Sequence, residues 1–266
     1  MQLRLLALAT ASLFVAPHAR AAAYGDAVVT SHSGTGAADG YGDPTAALGA
    51  PSQVTPGNYG GPVDPFNAPY LASQLVSLGT NGSLTVRLSA PIVNDPTHPY
   101  GVDFIIHGST AFIDSDWPNG LVDGSGSTFG GNPGRTRVWV SADGITFYQL
   151  NPTLAPVVDG LFPTDGQGTF GLPVNPALNQ ADFANLTLAQ IRTLYAGSAG
   201  GTGYDLAWAE DAEGQSVSLA SAQFVRVDVL DGRSEIDAIV SVPEPSVWAL
   251  AGTALGLGLL RLRRRS

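Results

Sequence analysis

Residues 83–89 read SLTVRLS. Leu84, Val86 and Leu88 alternate with Thr85 and Arg87, the period of two that sends successive side chains to opposite faces of a β-strand. The three aliphatic residues are expected to face a core, with Thr85 and Arg87 facing out. The same pattern recurs outward from this point. Residues 137–141 (RVWVS) place Val138 and Val140 inward and Trp139 outward. Asp143-Gly144 then predicts a tight hairpin turn, and residues 145–150 (ITFYQL) the returning strand. Residues 102–107 (VDFIIH) are more continuously apolar, as in a central strand covered on both faces. Residues 223–229 (QFVRVDV) and 236–242 (IDAIVSV) flank Asp231-Gly232 and predict a last hairpin. One helix is expected over Thr187 to Tyr195. Thr187 and Gln190 form its capping box, Leu188, Ile191 and Tyr195 share a face, and Gly197 is its stop. A shorter turn is expected around Gln180 to Ala184. Residues 49–70 and 151–179, rich in Pro and Gly, read as irregular. No repeat at a fixed period points to a propeller or solenoid. The expected class is all-β, with long loops and one short helix.

The two ends of the chain read differently. Met1-Gln2-Leu3-Arg4 is a positive start, Leu5 to Ala16 is apolar, and Ala19-Arg20-Ala21 fits the small-x-small pattern of a cleaved leader. Residues 1–23 are therefore expected to form a signal peptide, helical in its apolar part and cut after Ala21 or Ala23. Residues 242–266 read VPEPSVWALAGTALGLGLLRLRRRS. Pro243-Glu244-Pro245 bars a helix until after Pro245. Val247 to Leu260 carries no charge and predicts a transmembrane helix of roughly 21 Å, short of the ~30 Å hydrocarbon core. Leu262 and snorkelling arginines extend its reach. Arg261, Arg263, Arg264 and Arg265 would hold the end on the cytoplasmic side of the inner membrane.

Between these ends, residues 24–241 are long enough for one sizeable domain. They hold eighteen Asp and three Glu against six Arg, a formal charge of −15, and the chain has no lysine. So acidic a surface does not suit nucleic acid. The chain has no cysteine, which excludes disulfides, thiolate metal sites and cysteine nucleophiles.

The tail resembles the PEP-CTERM sorting signal of Gram-negative bacteria, matching its Pro-Glu-Pro triplet, short apolar span and basic end in order. The resemblance implies processing near Pro243, Glu244 and Pro245 by an exosortase. It also implies association with exopolysaccharide or biofilm production. Residues 43–51 (DPTAALGAP), 75–86 (LVSLGTNGSLTV), 102–104, 138–147 (VWVSADGITF), 195–209 (YAGSAGGTGYDLAWA) and 224–228 (FVRVD) occur in an order similar to that of the galactose-binding-like, or discoidin-like, jelly rolls found before such tails. A jelly-roll β-sandwich is the fold this implies for residues 24–241.

Candidate chemistry is sparse. Asp114, Asp116, Asn119 and Asp123 offer oxygens of the kind Ca²⁺ requires, although Pro118 and the lack of a closing Glu depart from the EF-hand loop. Asp39 and Asp43 form a second calcium candidate, on a loop where the resemblance implies such a site. For both sets, capping of local amides is the alternative. Residues 141–147 (SADGITF) resemble the Asp-box of sialidases with one residue missing. His32, His98 and His107 stand apart and no serine lies in G-x-S-x-G. The eighteen aspartates offer many glycosidase-type pairings and none stands out. Trp117, Trp139, Trp208, Tyr59, Tyr70 and Tyr100 could stack on sugar rings, Trp139 first among them. These readings point to a non-enzymatic exported protein of the cell surface or extracellular matrix, structural, adhesive or polysaccharide-binding. The alternative is a secreted polysaccharide hydrolase or lyase.

Overall fold

The computed structural model describes residues 21–58, 60–130 and 134–244. The apolar part of the expected signal peptide, Pro245, the expected transmembrane span Val247 to Leu260 and the terminal arginines lie outside these residues. In chain order the main strands are β1 (Gly25–His32), β2 (Val76–Gly79), β3 (Ser83–Val93), β4 (Phe104–His107), β5 (Arg135–Ser141), β6 (Tyr148–Leu150), β7 (Thr202–Tyr204), β8 (Ala209–Glu210), β9 (Ser221–Asp231), β10 (Arg233–Ile236) and β11 (Ala238–Ser241). The helix α1 spans Leu188–Tyr195. The protein is all-β, built from antiparallel sheets.

The SLTVRLS stretch sits in β3, near the centre of the largest sheet, whose order is β1-β3-β9-β5-β6-β8. Leu84, Val86 and Leu88 are fully buried, as their alternation requires. Val225 and Val227 of β9 and Val138 and Val140 of β5 continue the same inward rows across the ladder. A three-stranded sheet runs β7-β4-β11, with the apolar β4 in its centre, as expected. Beside it β10 pairs with β2. The inward residues of both groups, among them Phe104, Ile106, Leu78, Ile236 and Ile239, join the large sheet in one buried cluster. Each such aliphatic side chain contributes about 1.5–3 kcal/mol on leaving water.

Three local expectations are corrected and a fourth is extended. Asp231-Gly232 is not a hairpin, because β9 pairs with β3 and β5 whereas β10 pairs with β2. The chain crosses there from one sheet to another. Gly232 takes φ 75° and passes so close to Gly134 that a Cβ on it would stand 3.2 Å from the Gly134 Cα. The β5–β6 turn is also wider than two residues. The Asp143 carboxylate accepts from the amides of Ile145 and Thr146 (both 2.8 Å), and this delays the return until Tyr148. Thr85 is buried, not outward-facing in solvent, and its hydroxyl bonds that of Thr30 at 2.9 Å. Finally, Gly197, at φ 89°, shares the stop of α1 with a second left-handed residue, Ala196 at φ 51°.

The chain between β4 and β7 builds a second apolar cluster from Phe112, Val122, Phe162, Val174, Phe183, Ile191 and Tyr195, of which Phe162 and Val174 come from the irregular 151–179 segment. The helix α1 presents Ile191 and Tyr195 to it. Arg192 anchors the helix to the 161–170 segment through a bidentate pair with Asp165, at 2.6 and 3.0 Å. No helix among the described residues is long and apolar enough to cross a membrane.

Candidate functional site

A groove of about 450 Å³ opens beside the second apolar cluster, against which its Phe66 packs. Its floor comes from β10 and from the turn after β4. The Ser109 hydroxyl donates to Glu235 Oε2 at 2.6 Å and lies 3.2 Å from Asp159 Oδ2. Asp159 stands behind Glu235 on the irregular 151–179 segment, with its other oxygen accepting from the Thr110 amide at 2.8 Å. The Thr110 hydroxyl donates to the Asp159 carbonyl. Burial pushes the Asp159 carboxyl up to about 7 and the Glu235 charge adds to that, while the Thr110 and Ser109 bonds pull the other way. Arg233, two residues before Glu235 on β10, holds its Nε 3.6 Å from Glu235 Oε1.

The walls are aromatic. Tyr41, Phe66, Tyr70 and Phe129 line the groove. Tyr41 donates its hydroxyl to the Tyr70 carbonyl at 2.5 Å, which ties one wall together. Asp64 accepts from the amides of Phe66 and Asn67 at 2.8 and 3.1 Å and fixes the turn that presents Phe66. The Phe66 ring then packs on Phe112, centroids 6.4 Å apart. Phe129 lies on a short ladder in which Thr128 pairs with Phe112 and Phe129 with Ala111, and it is 53% exposed. Gly130 follows at φ 97°, and a Cβ on it would collide with the Ser109 carbonyl at 2.5 Å. That close approach brings the Phe129 wall against the Ser109 floor. Size, aromatic lining and a few convergent polar groups are the features of a ligand pocket.

Of the aromatic residues singled out from the sequence, Tyr70 is in this groove. Trp139 is elsewhere, on the outward side of the large sheet opposite Arg226 and Gln149. It is half-buried, and its indole nitrogen is buried without a hydrogen-bond partner among the described residues. Tyr59 lies outside the described residues.

At both calcium candidates the carboxylates cap local amides. Asp114 accepts from the amides of Asp116 and Leu121 (both 2.9 Å) and Gly120 (3.2 Å). Asp123 accepts from the amides of Ser125 and Ser127, both at 3.0 Å. Asp43 takes the amide and hydroxyl of Thr45 at 2.9 and 2.7 Å, and those bonds lower its pKa. Asp39 is exposed on a turn, and Asp116 is exposed as well. Among the described residues no three His, Asp or Glu side chains are grouped to hold a metal ion.

Other buried titratable groups do not line the groove. His107 is buried edge-on against Phe170, and burial pulls it down to about 4. His98 pairs with buried Asp103 at 2.8 Å. Asp237, which accepts from the amide and hydroxyl of Ser52, is pushed up to about 7 by burial. Pro243 and Glu244 are half-buried where the described body ends.

Sequence reasoning missed Ser109, Asp159, Arg233 and Glu235. A signal was present in the run Arg233-Ser234-Glu235-Ile236-Asp237. Charges at alternate positions leading into an apolar strand mark a strand that buries carboxylates, and such carboxylates need partners. Neither the family models nor the curated proteins compared with the chain gave a match.

Proposed function

We propose that this is an exported protein of the cell surface or extracellular matrix, a jelly-roll β-sandwich that holds polysaccharide in the Tyr41–Phe66–Tyr70–Phe129 groove. Its role is structural or adhesive, in biofilm or exopolysaccharide. It is made as a precursor whose tail, Val247 to Leu260 with the arginines beyond, rests in the inner membrane until an exosortase processes it near Pro243-Glu244-Pro245. The groove carries the binding part of this reading. Aromatic rings flank a floor that offers an acceptor carboxylate and a guanidinium, a pairing suited to sugar hydroxyls. Of the two carboxylates that meet at Ser109, only Glu235 lines the groove. Asp159 is 3% exposed, and this favours binding over paired-carboxylate hydrolysis.

The packing of the first residues supports removal of the leader after Ala21 in preference to Ala23. The Ala23 amide donates to Ser241 Oγ at 2.7 Å, and its carbonyl accepts from the Ser241 amide at 2.8 Å. Ala23 is buried in the main cluster, and Ala22 and Tyr24 pack on Phe170 and Val240. Cleavage after Ala23 would strip the Ala22 and Ala23 contacts from the edge of β11. Cleavage after Ala21 keeps them.

The test is to express the full chain in a Gram-negative host with an exosortase and analyse the mature protein by mass spectrometry. A product that begins at Ala22, ends near Glu244 and co-sediments with extracellular polysaccharide is expected. Deleting residues 245–266 should release the protein from the inner membrane. A cytoplasmic product that keeps residues 1–21 would contradict the reading.

A further inference from the structure

We infer that the groove takes neutral, hydroxyl-rich sugars and rejects uronates, with Glu235 making that choice. This rests on the polysaccharide-binding reading above and names its ligand class.

Three observations carry it. Arg233 and Glu235 are the charged side chains that line the groove among the described residues, and they stand 3.6 Å apart. Each largely cancels the other. A ligand carboxylate approaching Arg233 would meet Glu235 Oε1 at the same distance scale, and like charges so placed repel. Second, Glu235 is not free to swing aside. Its Oε2 is held at 2.6 Å by Ser109, and the same hydroxyl lies 3.2 Å from Asp159. Moving Glu235 away from Arg233 would break that bond, so the acid stays beside the guanidinium. Third, an ionised carboxylate only accepts hydrogen bonds. Its complement is a donor, and a neutral sugar presents hydroxyl donors along its edge and apolar C–H faces to the four rings. The surrounding surface reinforces the choice, since the −15 of residues 24–241 repels polyanions at long range.

The experiment is affinity electrophoresis of the mature exported protein at pH 7 through gels containing either a neutral glucan or a polyuronate of similar chain length. Retardation by the neutral polymer alone is expected. Glu235→Gln keeps an oxygen for Ser109 but leaves Arg233 uncompensated. It should lose about tenfold in affinity for the neutral polymer and acquire retardation by the polyuronate. Wild-type protein retarded by the polyuronate and not by the neutral polymer would overturn the inference while leaving the polysaccharide-binding reading in place. Retardation by neither would remove both. The wild-type comparison decides the question by itself if the variant melts early.

Discussion

The two largest apolar clusters of the described body are assembled by different means. The larger is made of strands, with Leu84, Val86, Val225, Val227, Val138 and Val140 brought into rows by ladder register. The smaller is made of irregular chain and one helix, joined by rings. Phe183 lies 5.0 Å from Phe112, 5.9 Å from Tyr195 and 6.1 Å from Phe162. In the first, many small side chains share the burial and backbone hydrogen bonds fix the register. In the second, a few aromatic rings do most of the work, so the loss of one ring is felt by the whole cluster. The groove borders the second. Glu235 and Arg233 come from a strand, whereas Phe66 leans on the aromatic cluster.

The sharpest way to break this comparison is Phe183→Ala. It should cost about 3–5 kcal/mol. Hydrogen exchange should show protection lost over residues 161–195 first, with β3 and β9 still protected. If both regions lose protection together, the clusters are one cooperative unit. Leu84→Ala should cost about 2–5 kcal/mol and, in contrast, lower the protection of both regions, as measured by the same exchange experiment and by urea midpoints. Arg192→Met should cost about 2 kcal/mol, less than the ~3–5 kcal/mol of breaking a fully buried pair, because Arg192 is partly exposed while Asp165 is not. Its effect should be confined to α1 and the 161–170 segment.

A smaller effect sharpens the groove side of the comparison through pH. An aspartate unfolds to an ordinary value near ~3.9, whereas folded Asp159 sits at about 7. The folded state therefore binds the extra proton. The stability this group contributes is complete below about pH 4 and lost as pH rises through 7. Asp237 has the same sign. His107, held down to about 4, has the opposite sign, with its contribution present above about pH 6.5 and lost as pH falls through 4. Asp159→Asn, which suits the left-handed backbone there (φ 57°), should melt above wild type at pH 8, and the gap should close near pH 4. A gap unchanged between those pH values would place the titration elsewhere.

The difference between the two clusters also explains what the sequence made legible. Alternation at Leu84-Val86-Leu88 and Val138-Val140 is a local signal, and it located β3 and β5 with their inward faces. The capping pair Thr187 and Gln190 located α1 for the same reason. The partner of a strand is not a local property. Asp231-Gly232 carries hairpin chemistry, yet β9 and β10 join different sheets because better partners lie far along the chain in β3, β5 and β2. The groove was hidden by the same limit. Tyr70 could be suspected as a surface aromatic, but Ser109, Asp159 and Glu235 meet across spacings that no window of sequence spans. For the aspartates of the 113–127 loop the sequence left cation binding and amide capping both open, because a capping Asp and a ligating Asp carry the same residue signature. The amides around Asp114 and Asp123 show the capping.

The measurement that tests the central claim most directly is an NMR titration of the mature protein with a neutral oligosaccharide, following aromatic side-chain and indole resonances. Shifts concentrated on Tyr41, Phe66, Tyr70 and Phe129, with Ser109 and Glu235 amides moving and the Trp139 indole unchanged, are the predicted result. Shifts centred on Trp139, or none at saturating ligand, would contradict the account.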